Sequence, residues 1–254
     1  MKPLVFSMGF NGYQWLYDRN IRSQKKYCEE HGFDFLMIEK PTFTNLYMEC
    51  AWFKIPALLG ALQSGRPWVL YLDADIEARP GAPSFLTLEK PDRDLYLANG
   101  FSGRVNSGMI LVKNTPRVQA LLSETFQNAL KTLPPEDDVG WGENGHIIHY
   151  AKNYPGLEIV DGRWNNNKDP ELADYFRHYS AGPMRKFYHW GLREKVISKV
   201  TKSYVKHGLP TRTVQSLNFY ERMDSLASSV FDAYPSEFKG RFDKVGGGLI
   251  AANG

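Results

Sequence analysis

Short apolar runs alternate along this chain with longer segments whose apolar residues recur at three- and four-residue steps. PLVFSMGF at the start predicts a buried strand, and NIRSQKKYCEEHG predicts a helix with a polar face, ended by Gly32. FDFLMIE predicts a second strand, and the unit strand–helix–strand predicts a parallel pair. Residues 50–64 predict a helix closed by Gly65, with Pro56 marking a kink or a late start. WVLYLDADI predicts a third strand, and DLYLANG and NSGMILVKN add two shorter ones. PRVQALLSETFQNALKTL has helical spacing; the polar, Gly-rich PPEDDVGWGENGH leads from it into a helical IIHYAKN. GLEIVDGRWNNN and DYFRHYS predict late strands and loops. This alternation predicts one α/β domain over residues 1–190. Residues 191–254 read differently, as a helical extension: a basic helix in REKVISKVTKSYVKHG, an amphipathic one in SLNFYERMDSLASSVFDAY, and a loose end in KVGGGLIAANG.

Bulk chemistry narrows the classes. A net charge of +3 gives no argument for nucleic acid. The two cysteines, Cys28 and Cys50, make neither a disulfide framework nor a zinc pattern, so a reducing compartment is expected. The N-terminal apolar run is too short for a signal peptide, and no stretch is long enough to span a bilayer. The expectation is a soluble cytoplasmic protein. Lys195, Lys199, Lys202 and Lys206 line one side of the basic helix, with Val196, Val200 and Val205 as an apolar flank. Such a helix either lies on the anionic inner face of a membrane as a peripheral contact, or packs on the domain or on a second subunit of a homo-oligomer.

The first candidate chemistry is at the end of WVLYLDAD. Asp73 and Asp75 flank Ala74 where the third strand ends, and ligands of open α/β sheets sit beyond such ends. On an extended chain residues two apart share a face. Two carboxylates on one face repel unless a cation lies between them, and oxygen ligands suit Mg²⁺ or Mn²⁺. The alternative is an ordinary turn. Gly108 inside a strand signals either a bulge or a close approach. His146 and His149 stand at helical spacing, more in keeping with a hydrogen-bonded helix face than with a metal site.

WFKIPALLGALQSGRPWVLYLDADIEA resembles the helix–strand–DxD segment of glycosyltransferases with the nucleotide-diphospho-sugar transferase, or A-type, fold. The similarity is to the glycogenin-like and lipopolysaccharide galactosyltransferase group and related galactosyl- and mannosyltransferases. RVNSGMILVKNTP, GWGENGHIIHYAK and RWNNN…YFRHYSAGPMRK resemble three further segments of that group, in the same order, so the resemblance covers about residues 1–190. It implies a Rossmann-like α/β fold with a mixed, mainly parallel sheet flanked by helices. It implies a nucleotide-sugar donor, most often a UDP-sugar, and a glycan or lipid-linked acceptor. Asp75 would bind the metal, Asp73 the metal, the ribose or both, and His178 would be the third metal ligand, favoured over His189 by the basic residues that follow it. An imidazole ligand favours Mn²⁺ over Mg²⁺. Lys186, with Arg185 as the alternate, would meet the phosphates, and Lys54 a phosphate or the sugar. Asn106, Ser107 and Gly108 would line the donor sugar; Ala74 lies within the DxD turn. Glu143 and Asn144 would face the reacting centre, with Trp141 stacking on a sugar ring. Asp137 and Asp138 are competing carboxylates, expected in a solvated loop. Phe10 and Tyr13 would meet the base. The relatives that look most similar retain anomeric configuration. Two other functions stay open: a sugar nucleotidyltransferase, although SMGFNGYQW lacks the basic loop that chemistry uses, and a non-catalytic sugar-binding or scaffold protein.

Overall fold

The computed structural model describes residues 1–140, 142–208, 217–238, 242–245 and 248–251. The strands are β1 (Leu4–Met8), β2 (Asp34–Ile38), β3 (Trp68–Leu72), β4 (Ile76–Ala78), β5 (Leu95–Asn99), β6 (Val105–Lys113), β7 (Leu157–Val160), β8 (Phe176–His178), β9 (Phe242–Val245) and β10 (Gly248–Ala251). The helices are α1 (Tyr13–Leu16), α2 (Asp18–His31), α3 (Lys54–Gln63), α4 (Pro116–Gln127), α5 (Asn144–Ala151), α6 (Leu192–His207) and α7 (Phe219–Ala233). Six strands form one sheet in the order β2-β1-β3-β6-β5-β7. β1 is parallel to β2 and β3, and β5 to β7, while β6 runs antiparallel to both its neighbours. The fold is thus α/β with a mixed, mainly parallel sheet flanked by helices.

Side chains of successive strand residues leave on opposite faces. In β1, Leu4, Phe6 and Met8 enter one core and Val5 the other; in β3, Val69 and Tyr71 oppose Leu70 and Leu72. Both faces are covered, which is why these strands read as unbroken apolar runs. The first core takes α3, α4 and α7, and the second takes Tyr27 and Cys28 of α2 with Phe85 and Phe176. A third, smaller core, of Leu16, Tyr17, Ala74, Tyr179 and Tyr188, lies against the turn after β3.

Local signals set several boundaries. α2 stops at Gly32, whose φ of 71° suits a residue without a Cβ. A 3₁₀ turn over Tyr47–Phe53 precedes α3, so Pro56 falls in the first turn, where no N–H is needed. α4 ends at Gln127, earlier than its pattern predicts, because the Asn128 amide caps the Glu124 carbonyl at 2.8 Å. α7 opens with a reciprocal cap between Asn218 and Glu221. Its Met223, Leu226, Ala227 and Val230 are buried in the first core, so this part of the extension is built into the domain. The end of the chain pairs β9 with β10, where the sequence predicts a loose segment. Among the described residues no helix is long and apolar enough to cross a membrane.

Candidate active site

β3, in the middle of the sheet, delivers Asp73 to the sheet's edge, where its N–H donates to the Gly108 carbonyl at 2.8 Å. The chain then turns: the Ile76 N–H donates to the Asp73 carbonyl at 3.0 Å and the strand β4 begins. Asp73 and Asp75 therefore converge through a tight turn, not through the two-residue period of an extended chain. β4 pairs antiparallel with β8, with Ile76 opposite His178. That ladder sets an imidazole beside the carboxylates. His178 Nε2 is 3.2 Å from Asp75 Oδ1 and 3.6 Å from Asp73 Oδ2, and the three ligand atoms lie within 4.8 Å of one another.

The ring is oriented from behind. Asn165 Nδ2 donates to the Asn106 carbonyl at 3.1 Å and to Asn106 Oδ1 at 3.0 Å, which turns Asn165 Oδ1 toward His178 Nδ1 at 2.8 Å. With Nδ1 engaged by Asn165, Nε2 is the nitrogen that faces the carboxylates, the orientation that suits a metal-ligating histidine. Three acceptors facing one point, on a buried ring 2% exposed, fit a divalent ion. Gly108 makes room for this: a Cβ there would lie 2.2 Å from His178 Cε1. The glycine inside β6 thus marks the close approach of a side chain. Burial opposes the charge on Asp75, but His178 and then Arg185 outweigh it and hold its carboxyl below the ordinary carboxylate range.

Below the cluster lies a buried ionic layer. Lys54 Nζ, 3% exposed as a residue, is 2.7 Å from Glu143 Oε1 and 3.3 Å from both Asp73 Oδ1 and the Ser107 carbonyl. Three acceptors take its three protons, so the ammonium holds carboxylates and does not project to a ligand. Burial pulls its pKa down, but Asp73 and Glu143 raise it overall, so Lys54 stays charged. Tyr71, two residues before Asp73, donates its hydroxyl to Asp73 Oδ1, and burial together with that carboxylate pushes its pKa well up. One oxygen of Asp73 is thereby fixed, and the other faces His178. Ser107 Oγ donates to Glu143 Oε1 at 2.6 Å, its N–H donates to Asn144 Oδ1 at 2.8 Å, and Glu143 Oε2 is buried with no partner. Glu143 precedes α5 directly, at the positive end of that helix.

The structure brings together Asp73, Asp75, His178, Asn106, Ser107, Gly108, Glu143, Asn144 and Lys54. The other expected residues are placed as follows. Lys186 is exposed, its ammonium 5.0 Å above the Phe187 ring, whereas Arg185 NH1 is 3.9 Å from Asp75 Oδ2 and donates to the Tyr17 hydroxyl. Both belong to a 3₁₀ turn, Pro183–Phe187, whose three residues per turn send neighbours to different sides. Ala74 is buried in the third core, so its methyl supports the turn from below. Phe10 is buried in the first core with its ring 6.3 Å from Phe53, while Tyr13 is half exposed, 5.3 Å from the Tyr17 ring. Asp137 is no solvated loop residue: it is 4% exposed, 2.6 Å from His149 Nδ1 and paired with Lys152. His146 Nε2 is 3.2 Å from the Lys131 carbonyl, so both helix histidines are held by protein groups. His189 is exposed. Trp141 lies outside the described residues.

Asn165, Tyr71, Tyr17 and Asn167 are site residues the sequence reading missed. Tyr71 shares a strand face with Asp73, a legible signal; Asn165 had only its place in the Asn165–Asn167 run. Asn167 is 1% exposed with neither amide atom partnered, and its Nδ2 would lie 3.0 Å from a Cβ on Gly100.

No protein-family model and no curated protein sequence matches the chain. Solved structures do resemble it. A glycosyltransferase involved in the glycosylation of the major capsid of PBCV-1 aligns with a TM-score of 0.57 at 15% identity, over 78% of this chain and 100% of that one. The glycosyltransferase GlyE of Streptococcus pneumoniae TIGR4 aligns with a TM-score of 0.50 at 13% identity, over 96% of this chain and 66% of GlyE. The chain has the fold of A-type glycosyltransferases. Likeness at this level of identity establishes the fold and leaves the activity to the site.

Proposed function

We propose that the protein is a metal-dependent glycosyltransferase that moves a hexose from a nucleoside diphosphate sugar, a UDP-sugar first, to a hydroxyl of a glycan or glycolipid acceptor. The observation that carries this reading is the convergence of Asp73, Asp75 and His178 at the carboxyl end of β3, with the His178 ring held by Asn165. These three residues would hold Mn²⁺, or Mg²⁺ less well because one donor is nitrogen. When bound, the ion supplies positive charge where the departing diphosphate gathers negative charge. The chain's own residues do the rest. Arg185 adds a guanidinium on the Asp75 side of the cluster, where a phosphate oxygen gains a second cation. Lys186, exposed in the same turn, would meet an outer phosphate once a donor is bound. Asn106, Ser107 and Gly108 form the wall against the donor sugar, and Tyr13 with the Phe10 backbone forms the rim for the base. Glu143 is buried and its Oε1 is already taken by Lys54 and Ser107, so it stands as a holder of the wall and not as a base open to an acceptor hydroxyl. That supports transfer with retention, in which the leaving diphosphate and not a carboxylate takes the acceptor proton.

The test is hydrolysis of a panel of nucleotide sugars with and without Mn²⁺. We expect release of the nucleoside diphosphate from one donor, dependent on the ion. Turnover unchanged after chelation and dialysis overturns the metal assignment. Synthesis of a sugar nucleotide from a nucleoside triphosphate and a sugar phosphate identifies a nucleotidyltransferase instead.

A further inference from the structure

α6 is an amphipathic helix turned partly outward. Its inner side is anchored: Glu194 and Thr201 are buried, and a Cβ on Gly12 would lie 2.4 Å from Thr201 Cγ2, so α1 and α6 touch closely and the helix has a set rotation. Its outer side carries Leu192, Val196, Val200 and Tyr204, which are 80%, 52%, 61% and 46% exposed. Four-residue steps place these on one ridge. Lys195, Lys199, Lys202 and Lys206 are all exposed and form a second ridge beside the first. Glu194 is the sole carboxylate in the helix, and it is buried and 3.3 Å from Arg193. The apolar ridge does not end with the helix. The Tyr204 ring is 4.5 Å from Phe43, and Phe43 is 5.7 Å from Trp15, which is 40% exposed. Three aromatic rings from three separate segments thus extend the ridge across α1.

We propose that this face, the outer side of α6 with Phe43 and Trp15, docks on an anionic lipid bilayer. The charge pattern selects that occupant. A bilayer offers phosphate oxygens and acyl chains in adjoining layers, so lysines can bind headgroups while their stems and the neighbouring ridge sit among apolar atoms. Trp and Tyr rings suit that boundary, with an apolar body and a polar edge. A second copy docked through the same side of α6 would bring four more exposed lysines and no exposed carboxylate of that helix to pair with them. An acidic protein surface would match the lysines and leave the apolar ridge against polar groups. The docking face does not depend on the reaction assigned to the metal cluster.

The experiment is co-sedimentation of the full chain with phosphatidylcholine vesicles, with and without phosphatidylglycerol, at low and high salt. The variants are Lys199→Glu with Lys202→Glu, and Val196→Asp with Val200→Asp, all at exposed positions, with circular dichroism and melting to show the fold is kept. We expect binding to the anionic vesicles that weakens with salt, and a fall of at least about tenfold in the partition coefficient for either double variant. No binding to anionic vesicles at low salt overturns the proposal, as does binding that both variants retain. Self-association in sedimentation velocity that Val196→Asp with Val200→Asp abolishes assigns the face to a second copy, and the lipid assignment then falls.

Discussion

Gly108 is the position where one methyl group would do most harm to the site. Its Cβ would overlap the His178 ring, so Gly108→Ala should leave the strand in place but displace the imidazole. Loss of a ligand's orientation weakens metal binding by about 10–100-fold, measurable as Mn²⁺ affinity by titration. His178→Ala should weaken Mn²⁺-dependent nucleoside diphosphate binding more than His189→Ala, because only His178 faces the carboxylates; the reverse order would move the site. Lys54 has the opposite character. Lys54→Met leaves the buried Glu143 and the partly exposed Asp73 without their cation, at a cost of about 3–5 kcal/mol in denaturant unfolding, most of it from Glu143. Asp137 adds a pH signature. Lys152 first, then His149, lower its pKa against the effect of burial. A carboxyl depressed in the folded state contributes stability above its unfolded pKa and loses it as pH falls through the folded value. Asp137→Asn should therefore be less stable than the parent near neutral pH. The difference should narrow as pH falls below about 4, as read by urea midpoints across pH.

Among the elements, α7 shows how the extension is used. Its apolar stripe was legible from spacing, but a stripe does not name what covers it. The structure places it on α3 and α4: Met223 is fully buried, and a Cβ on Gly60 would lie 3.0 Å from the Phe231 ring. Met223→Ala should cost about 2–5 kcal/mol and shift a single unfolding transition of the whole chain. A separate early transition would mean that residues 217–238 fold as their own unit. α6 was legible as a basic helix with valines alongside. The valine flank is only part of its apolar face, since Phe43 and Trp15 extend that face from elsewhere in the chain. The 3₁₀ turn at Pro183–Phe187 left no sequence trace, and it decides that Arg185 and not Lys186 stands against Asp75.

For the whole molecule, a bound ion and donor should raise the melting temperature together by mass action, since neither has a preformed site in the unfolded chain. A panel of nucleotide sugars read by thermal shift with Mn²⁺ should single out one donor; shifts that are equal with and without Mn²⁺ would contradict a cluster that needs the ion. The α/β alternation is legible in the sequence, because buried strands and amphipathic helices have different periods that short windows expose. It also shows an acidic pair closing β3, while His178 was put ahead of His189 only by the resemblance of the later motifs. Tertiary structure alone decided why those groups meet. The two aspartates converge through a turn, and a ladder between β4 and β8, built from segments about a hundred residues apart in sequence, brings His178 to them. Lys54 faces inward because Glu143 and Asp73 arrive from other elements, and such pairings depend on chain crossings that no local pattern encodes.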